Sequence, residues 1–163
     1  MKIIHTAHWL RPDYSNIGVL DQMVPAVKQH RLIEEGTFPA ALHKDLDVKP
    51  TDIVLSKPRF GAFHGTDLEL ILRSNGIDTV IVSGIATNVC CETTAREANA
   101  RDFKVFFLSD GTATFGTQGL TAEEVQRAAL ANVAAVFGEV LTIDQMLTKL
   151  KIGASSQQAQ AAE

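Results

Sequence analysis

Apolar residues along the chain fall into short runs, each followed by turn residues and then by a stretch with helical spacing. Lys2–His8 (KIIHTAH), Asp52–Ser56 (DIVLS), Thr79–Ser83 (TVIVS), Lys104–Ser109 (KVFFLS) and Glu139–Ile143 (EVLTI) are rich in Ile, Val and Phe and read as strands. The three middle runs are apolar nearly throughout, the mark of strands covered on both faces, as in parallel sheets. Helical windows lie between them. Thr66–Asn75 opens with Thr66 and Glu69 at capping-box spacing and stops at Gly76. Asn88–Ala100 carries Ala95 and Ala98 on one side. Thr121–Phe137 repeats the capping box with Thr121 and Glu124 and stops at Gly138. A short helix, Asp144–Leu150, precedes Lys151–Glu163, which has one large apolar residue, Ile152, and is expected to be a mobile tail.

Strands alternating with helices of this length predict right-handed crossovers and an α/β domain. The expected architecture is three-layered, α/β/α, around a mostly parallel, Rossmann-like sheet. One domain is expected over residues 1–150, with the tail at 151–163. In such sheets function collects beyond the carboxyl ends of the strands. Asn16–Lys49 is the least regular stretch, and a connection of that length is expected to line a site.

Composition narrows the function. The 163 residues carry 15 basic and 19 acidic side chains, a net charge of −4, which argues against a nucleic-acid partner. No run of about 18 apolar residues occurs, so no membrane span is expected. Met1–Trp9 lacks the apolar core and cleavage site of a signal peptide. The two cysteines, Cys90 and Cys91, are adjacent, a placement that rarely makes a structural disulfide; a reducing, cytoplasmic compartment is expected. GxxxxGKS/T, GxGxxG and GxSxG are absent, which removes the common nucleotide-binding and serine-hydrolase readings.

Two residues could carry chemistry. Cys90 falls in the first turn of a helix that follows the most apolar strand. There the free N–H groups and the positive end of the helix dipole favour a thiolate, although a small core residue is the alternative. Cys91, about 100° further round, points into packing. Lys57 ends the strand DIVLS and precedes Pro58. It is either a solvated strand-end lysine or a cation stabilising a thiolate and an oxyanion. Trp9 and Phe63 are loop aromatics near strand ends, either core or pocket wall. His5, His8, His30, His43 and His64 show no metal-ligand spacing, so neither a metal nor another cofactor is expected.

The run VIVSGIATNVCCETTAREANARDFKVFFLSDGTATF resembles the signature of the isochorismatase-like cysteine hydrolases. SKPRFGAFHGTDLELILRSNGID upstream and AALANVAAVFGEVLTIDQML downstream match the same family in order and spacing, roughly from Lys2 to Leu150. The resemblance implies hydrolysis of a small amide-, ureido- or carbamoyl-type substrate through a thioester, with Cys90 as nucleophile and Lys57 as the triad lysine. It also implies a cis peptide at Ile85–Ala86 and an oxyanion hole from the N–H groups of Ala86 and Cys90. Trp9, Phe63, Thr87 and Asn88 are expected to line the substrate pocket. Family members associate, so a homo-oligomer, dimer or tetramer, is expected.

Two departures from the family pattern stand out. The Asp-and-His metal cluster of the nicotinamidase branch is missing from TAHWLRPD, and KPRFGAF with LRSNGI looks more like the ureido and carbamoyl branch. The family's first strand, which ends in an Asp-x-Gln, has no counterpart after Met1, so the triad aspartate is missing. Asp13 or Asp110 could approach the crevice in its place, although Asp110 is expected to fix a turn at Gly111–Thr114 through backbone hydrogen bonds. The competing expectation is a non-catalytic binding or assembly protein of the same fold.

Overall fold

The structure, a computed structural model, describes residues 1–160, with side chains through residue 152. Contacts divide it into two compact units, Met1–Asn75 and Gly76–Glu163.

In the first unit, β1 (Ile4–His8) and β2 (Ile53–Lys57) pair in parallel, in register from Ile4 opposite Ile53 to His8 opposite Lys57. The stretch between them is less irregular than its glycines and prolines suggest. It holds α1 (Leu20–Met23), α2 (Ala26–Gln29) and a 3₁₀ turn at Phe38–Ala40. Leu10, Ile17, Leu20 and Val27 form a small core there, with Tyr14 and Ile33 against it. Tyr14 Oη donates to Glu34 Oε2 at 2.6 Å and Arg31 Nε donates to the same oxygen at 3.0 Å. The Arg31 and Tyr14 hydrogen bonds hold the Glu34 carboxyl down at about 2.

Helix α3 (Leu68–Ser74) buries Leu68 and Leu72. Its expected capping box does not form. The Thr66 hydroxyl donates to the Ala62 carbonyl at 2.6 Å and accepts the Leu68 N–H at 3.2 Å. The helix therefore begins later than the spacing predicts, and Glu69 lies beside Arg73 instead.

In the second unit, β3 (Thr79–Ile85), β4 (Lys104–Ala113) and β5 (Glu139–Leu141) form a parallel sheet in that order. The strands of the chain thus make two parallel sheets, of two and three strands. A π-helical turn at Thr87–Cys91 leads into α4 (Glu92–Asn99). Helix α5 (Ala122–Asn132) opens with the expected Thr121–Glu124 capping box and ends in a second π-helical turn, Val133–Phe137. Phe107 and Val133 have no exposed surface, and Ala95, Ala98, Val105 and Ala129 pack as the buried faces of strand and helices. Gly138 is extended, and a Cβ there would sit 2.7 Å from the Val105 carbonyl oxygen, so close approach to β4 selects glycine.

Two further expectations are corrected. β4 does not turn at Gly111–Thr114. It runs on to Ala113 after a register jump, with Gly84 opposite Thr112 and Ile85 opposite Ala113. Asp110 accepts the Ile143 N–H at 2.8 Å, so its carboxylate caps α6 (Ile143–Gln160) and does not hold a turn. The last helix, expected to close at Leu150, continues to Gln160, because Lys, Ala and Gln are good helix formers. Of the expected tail, residues 161–163 lie outside the described residues.

Candidate active site

β3 delivers the first group of site residues. Gly84 has φ +117°, a conformation that side-chain-bearing residues rarely adopt, and the Ile85–Ala86 peptide after it is cis. The backbone then enters the π-helical turn. The Ala86 carbonyl accepts N–H groups from both Val89 (3.1 Å) and Cys91 (3.2 Å). Cys90 lies within this opening turn, half-buried, with Thr94 Oγ1 donating to its carbonyl at 2.7 Å. A helix start concentrates partial positive charge, so this is a place where a developing oxyanion is favoured. Cys91 is 4% exposed and its Sγ contacts the Ser83 carbonyl at 3.8 Å, a packing role.

Thr87 was expected at the pocket wall. It has no exposed surface, and its hydroxyl donates to Gln126 Oε1 at 2.6 Å. Asn88 is half-buried, and its Oδ1 accepts the Thr114 hydroxyl at 2.6 Å. Gln126, on α5, went unnoticed in the sequence. Its Nε2 also reaches the Ser109 carbonyl (3.2 Å), the Thr112 carbonyl (3.3 Å) and Thr112 Oγ1 (3.1 Å). One amide thus ties the turn carrying Cys90 to the register jump in β4. No motif marks a glutamine on a helix face; only its seat opposite an irregular strand does.

Gln126→Leu keeps the volume and strands these acceptors. A loss of about 2–3 kcal/mol in urea unfolding is expected, with Gln126→Glu intermediate because it still accepts from Thr87. Unchanged stability in both variants would remove the network's role.

The acidic residue nearest in sequence to Cys90 is committed elsewhere. Glu92 is buried, and Oε1 accepts from Arg96 Nε (3.1 Å) and Nη2 (2.6 Å), while the Arg96 guanidinium lies 4.1 Å from the Phe137 ring centroid.

The first unit holds the remaining candidates. Lys57 is 2% exposed, not a solvated strand end, and its Nζ donates to the Arg59 and Phe60 carbonyls at 2.9 Å each. Phe63 is 5% exposed and belongs to the core. Trp9 lines a cavity of about 320 Å³ at the carboxyl ends of β1 and β2, together with Arg11, Asn16, Glu35, Ser56 and Pro58. Asn16 and Glu35 come from the long connection between β1 and β2. Trp9 Nε1 donates to the Ala40 carbonyl at 2.7 Å, which fixes the indole.

His8, opposite Lys57, was read only in the search for metal ligands. Its Nε2 is buried without a hydrogen-bond partner and its ring meets Phe60 edge-on at 5.4 Å. Burial first, and then the Lys57 charge, push its pKa down from 6.5 to about 4. The fold therefore holds neutral imidazole, whereas the unfolded chain takes up a proton below 6.5. Stability is fully present above pH 6.5 and declines as pH falls towards 4, by about 1–2 kcal/mol after allowance for solvent screening. His8→Phe is expected to remove that part of the slope in urea titrations between pH 7 and pH 4.5. An identical slope in both proteins contradicts the assignment.

The candidates thus form two groups. Trp9, Lys57 and Phe63 lie in the first unit, and Ile85, Ala86, Thr87, Asn88 and Cys90 in the second. Among the described residues no helix is long and apolar enough to cross a membrane.

A family model described as the isochorismatase domain matches residues 1–145. The ureidoacrylate amidohydrolase RutB of Methylorubrum extorquens is 42% identical over 110 residues, which is 68% of this chain and 42% of that protein. The protein of the same name from Methylobacterium radiotolerans is 40% identical over 110 residues, 68% of this chain and 41% of its own. The match therefore spans about two fifths of the length of these curated relatives. Among solved structures, a cysteine hydrolase from Pseudomonas syringae pv. phaseolicola superposes with a TM-score of 0.86 at 34% identity, covering 92% of this chain and 72% of that one. An isochorismatase-like hydrolase from Alkaliphilus metalliredigens gives a TM-score of 0.76 at 30% identity, covering 91% and 73%. With its parallel α/β sheets and a family match across most of its length, this chain belongs to the isochorismatase family.

Proposed function

We propose that this protein hydrolyses small amide, ureido or carbamoyl compounds, with Cys90 as the nucleophile. The Sγ thiolate attacks the carbonyl carbon, and the carbonyl electron pair moves onto oxygen, to be received by the Ala86 and Cys90 N–H groups. Collapse breaks the C–N bond, the nitrogen leaves with a proton, and a thioester remains. Water then attacks the thioester, releasing the acid and restoring the thiol. Lys57 takes the part of the family's triad lysine, the cation of the mechanism. The base that takes the thiol proton is assigned to the family's aspartate on a strand preceding β1, since Glu92 is held by Arg96 and Asp110 caps α6.

One observation carries this reading: a half-buried cysteine in the opening turn of a helix that directly follows a parallel strand. The shared name of the two relatives, ureidoacrylate amidohydrolase, supports the ureido class. The test is amine or ammonia release from a panel of amides and ureido acids. It uses this chain and a form extended at its N-terminus by the family's first strand. Turnover that depends on Cys90 is expected in the extended form. If no compound turns over in either form, the non-catalytic binding reading takes its place.

A further inference from the structure

β3 and β4 lose their common register just where the chain enters the Cys90 turn. Between the pairs Val82–Phe107 and Gly84–Thr112, β3 passes one residue, Ser83, while β4 passes four, residues 108–111. The ladder that would hold the end of β3 is interrupted there. The turn that follows, Thr87–Cys91, is π-helical, a form uncommon in helices and frequent at functional sites. Gln126 spans the interruption. Its Oε1 accepts the hydroxyl of Thr87, the first residue of the turn, while its Nε2 donates to Ser109 and Thr112 on β4. The amide can sit only one way round. The Ser109 and Thr112 carbonyls accept and never donate, so the nitrogen faces them and the oxygen faces Thr87. The Thr112 hydroxyl donates in turn to the Leu108 carbonyl at 3.0 Å, which closes the chain of bonds on β4. Thr87 has no exposed surface, so water cannot take over its end of the tie.

We propose that Gln126 is a positioning residue: by fixing Thr87 against β4, its amide sets the turn so that the Ala86 and Cys90 N–H groups converge on one oxyanion. The oxyanion belongs to the hydrolytic reading above, on which this inference rests. Gln126 acts through the backbone and touches no substrate. Such donors work only when aimed at the developing oxygen before reaction, and a misplacement of about 1 Å costs on the order of 10²-fold. A carboxylate at position 126 still accepts from Thr87, but it faces the two β4 carbonyls with no proton to give. Once protonated, it recovers a donor. A positioning role therefore gives Gln126→Glu a pH dependence that a side chain needed only for packing does not give.

Two reactions of the Cys90 thiol separate positioning from stability, and neither needs turnover. In the first, butyraldehyde adds reversibly. An S–C bond forms, the carbonyl electron pair moves onto oxygen and the thiol proton ends there, leaving a hemithioacetal whose oxygen meets the two N–H groups. Aldehyde labelled with carbon-13 at its carbonyl reports this adduct by NMR, and Cys90→Ser abolishes it. In the second, iodoacetamide alkylates the sulfur by displacement of iodide at a saturated carbon, so no oxyanion forms; mass spectrometry follows the Cys90 peptide. Gln126→Leu is expected to weaken the aldehyde adduct at least about tenfold while alkylation stays close to the parent rate. Gln126→Glu shows an intermediate loss near pH 8 that recovers towards the parent near pH 5. Val133→Ala, which opens a cavity in the core beyond α5, lowers stability but leaves both reactions as in the parent. No adduct in the parent, full adduct affinity in Gln126→Leu, an equal loss in Val133→Ala, or a pH-independent Gln126→Glu overturns the proposal. Failure of the hydrolytic reading shows differently: the adduct forms and depends on Gln126 while no compound is turned over.

Discussion

Cys90→Ser is expected to lower kcat/KM for ureido and amide substrates at least about 10³-fold, or about 4 kcal/mol of transition-state stabilisation, with little change in stability. The oxygen is smaller, harder and protonated near neutral pH, so it is a much weaker nucleophile than sulfur. Cys90 is half-buried and its side chain carries little of the core, so the variant keeps its fold. Cys91→Ser tests the opposite case. Cys91 is 4% exposed, and its loss acts on packing, with a measurable fall in unfolding free energy and a smaller effect on rate. If the two substitutions exchange these effects, the nucleophile is misassigned. Steady-state rates together with urea unfolding of both variants decide it.

Lys57→Met should produce the second large effect, about a 10²-fold fall in kcat/KM with a modest loss of stability. Methionine keeps most of the buried volume but removes the charge and both hydrogen bonds to the Arg59 and Phe60 carbonyls. Lys57→Ala adds a cavity and is expected to cost about 3–5 kcal/mol on top of the catalytic loss. The comparison separates charge from packing. A Met variant with full activity confines Lys57 to holding the Pro58–Phe60 turn.

The parts of this fold that were legible in the sequence are those set by burial on both sides. The run at Lys104 reads as an inner strand and β4 does lie between β3 and β5, whereas the equally apolar run at Thr79 forms an edge of that sheet. The glycines at 76 and 138 end helices as their spacing indicates. The π-helical opening at Thr87–Cys91 was not legible, because one residue added to a helical turn leaves the apolar period almost unchanged. The Thr66 capping box failed for a tertiary reason: the Ala62 carbonyl claimed the hydroxyl. Asp110 looked like a turn residue, yet the register jump in β4 carries it to the start of α6, which lies far along the chain. The site divided along the same line. Cys90 was visible from local geometry at a helix start and Lys57 from its strand end. Gln126 and His8 depend on which elements meet, and spacing does not record that.

The central claim is that the Cys90 sulfur becomes acylated. The direct measurement is rapid acid quench of the N-terminally extended protein during turnover of a ureido or amide substrate, followed by peptide mapping with fragmentation. The account predicts the mass of the acyl fragment on Cys90, none on Cys91, and its disappearance in Cys90→Ala. Turnover with an unmodified Cys90, or with the acyl group on any other residue, contradicts it.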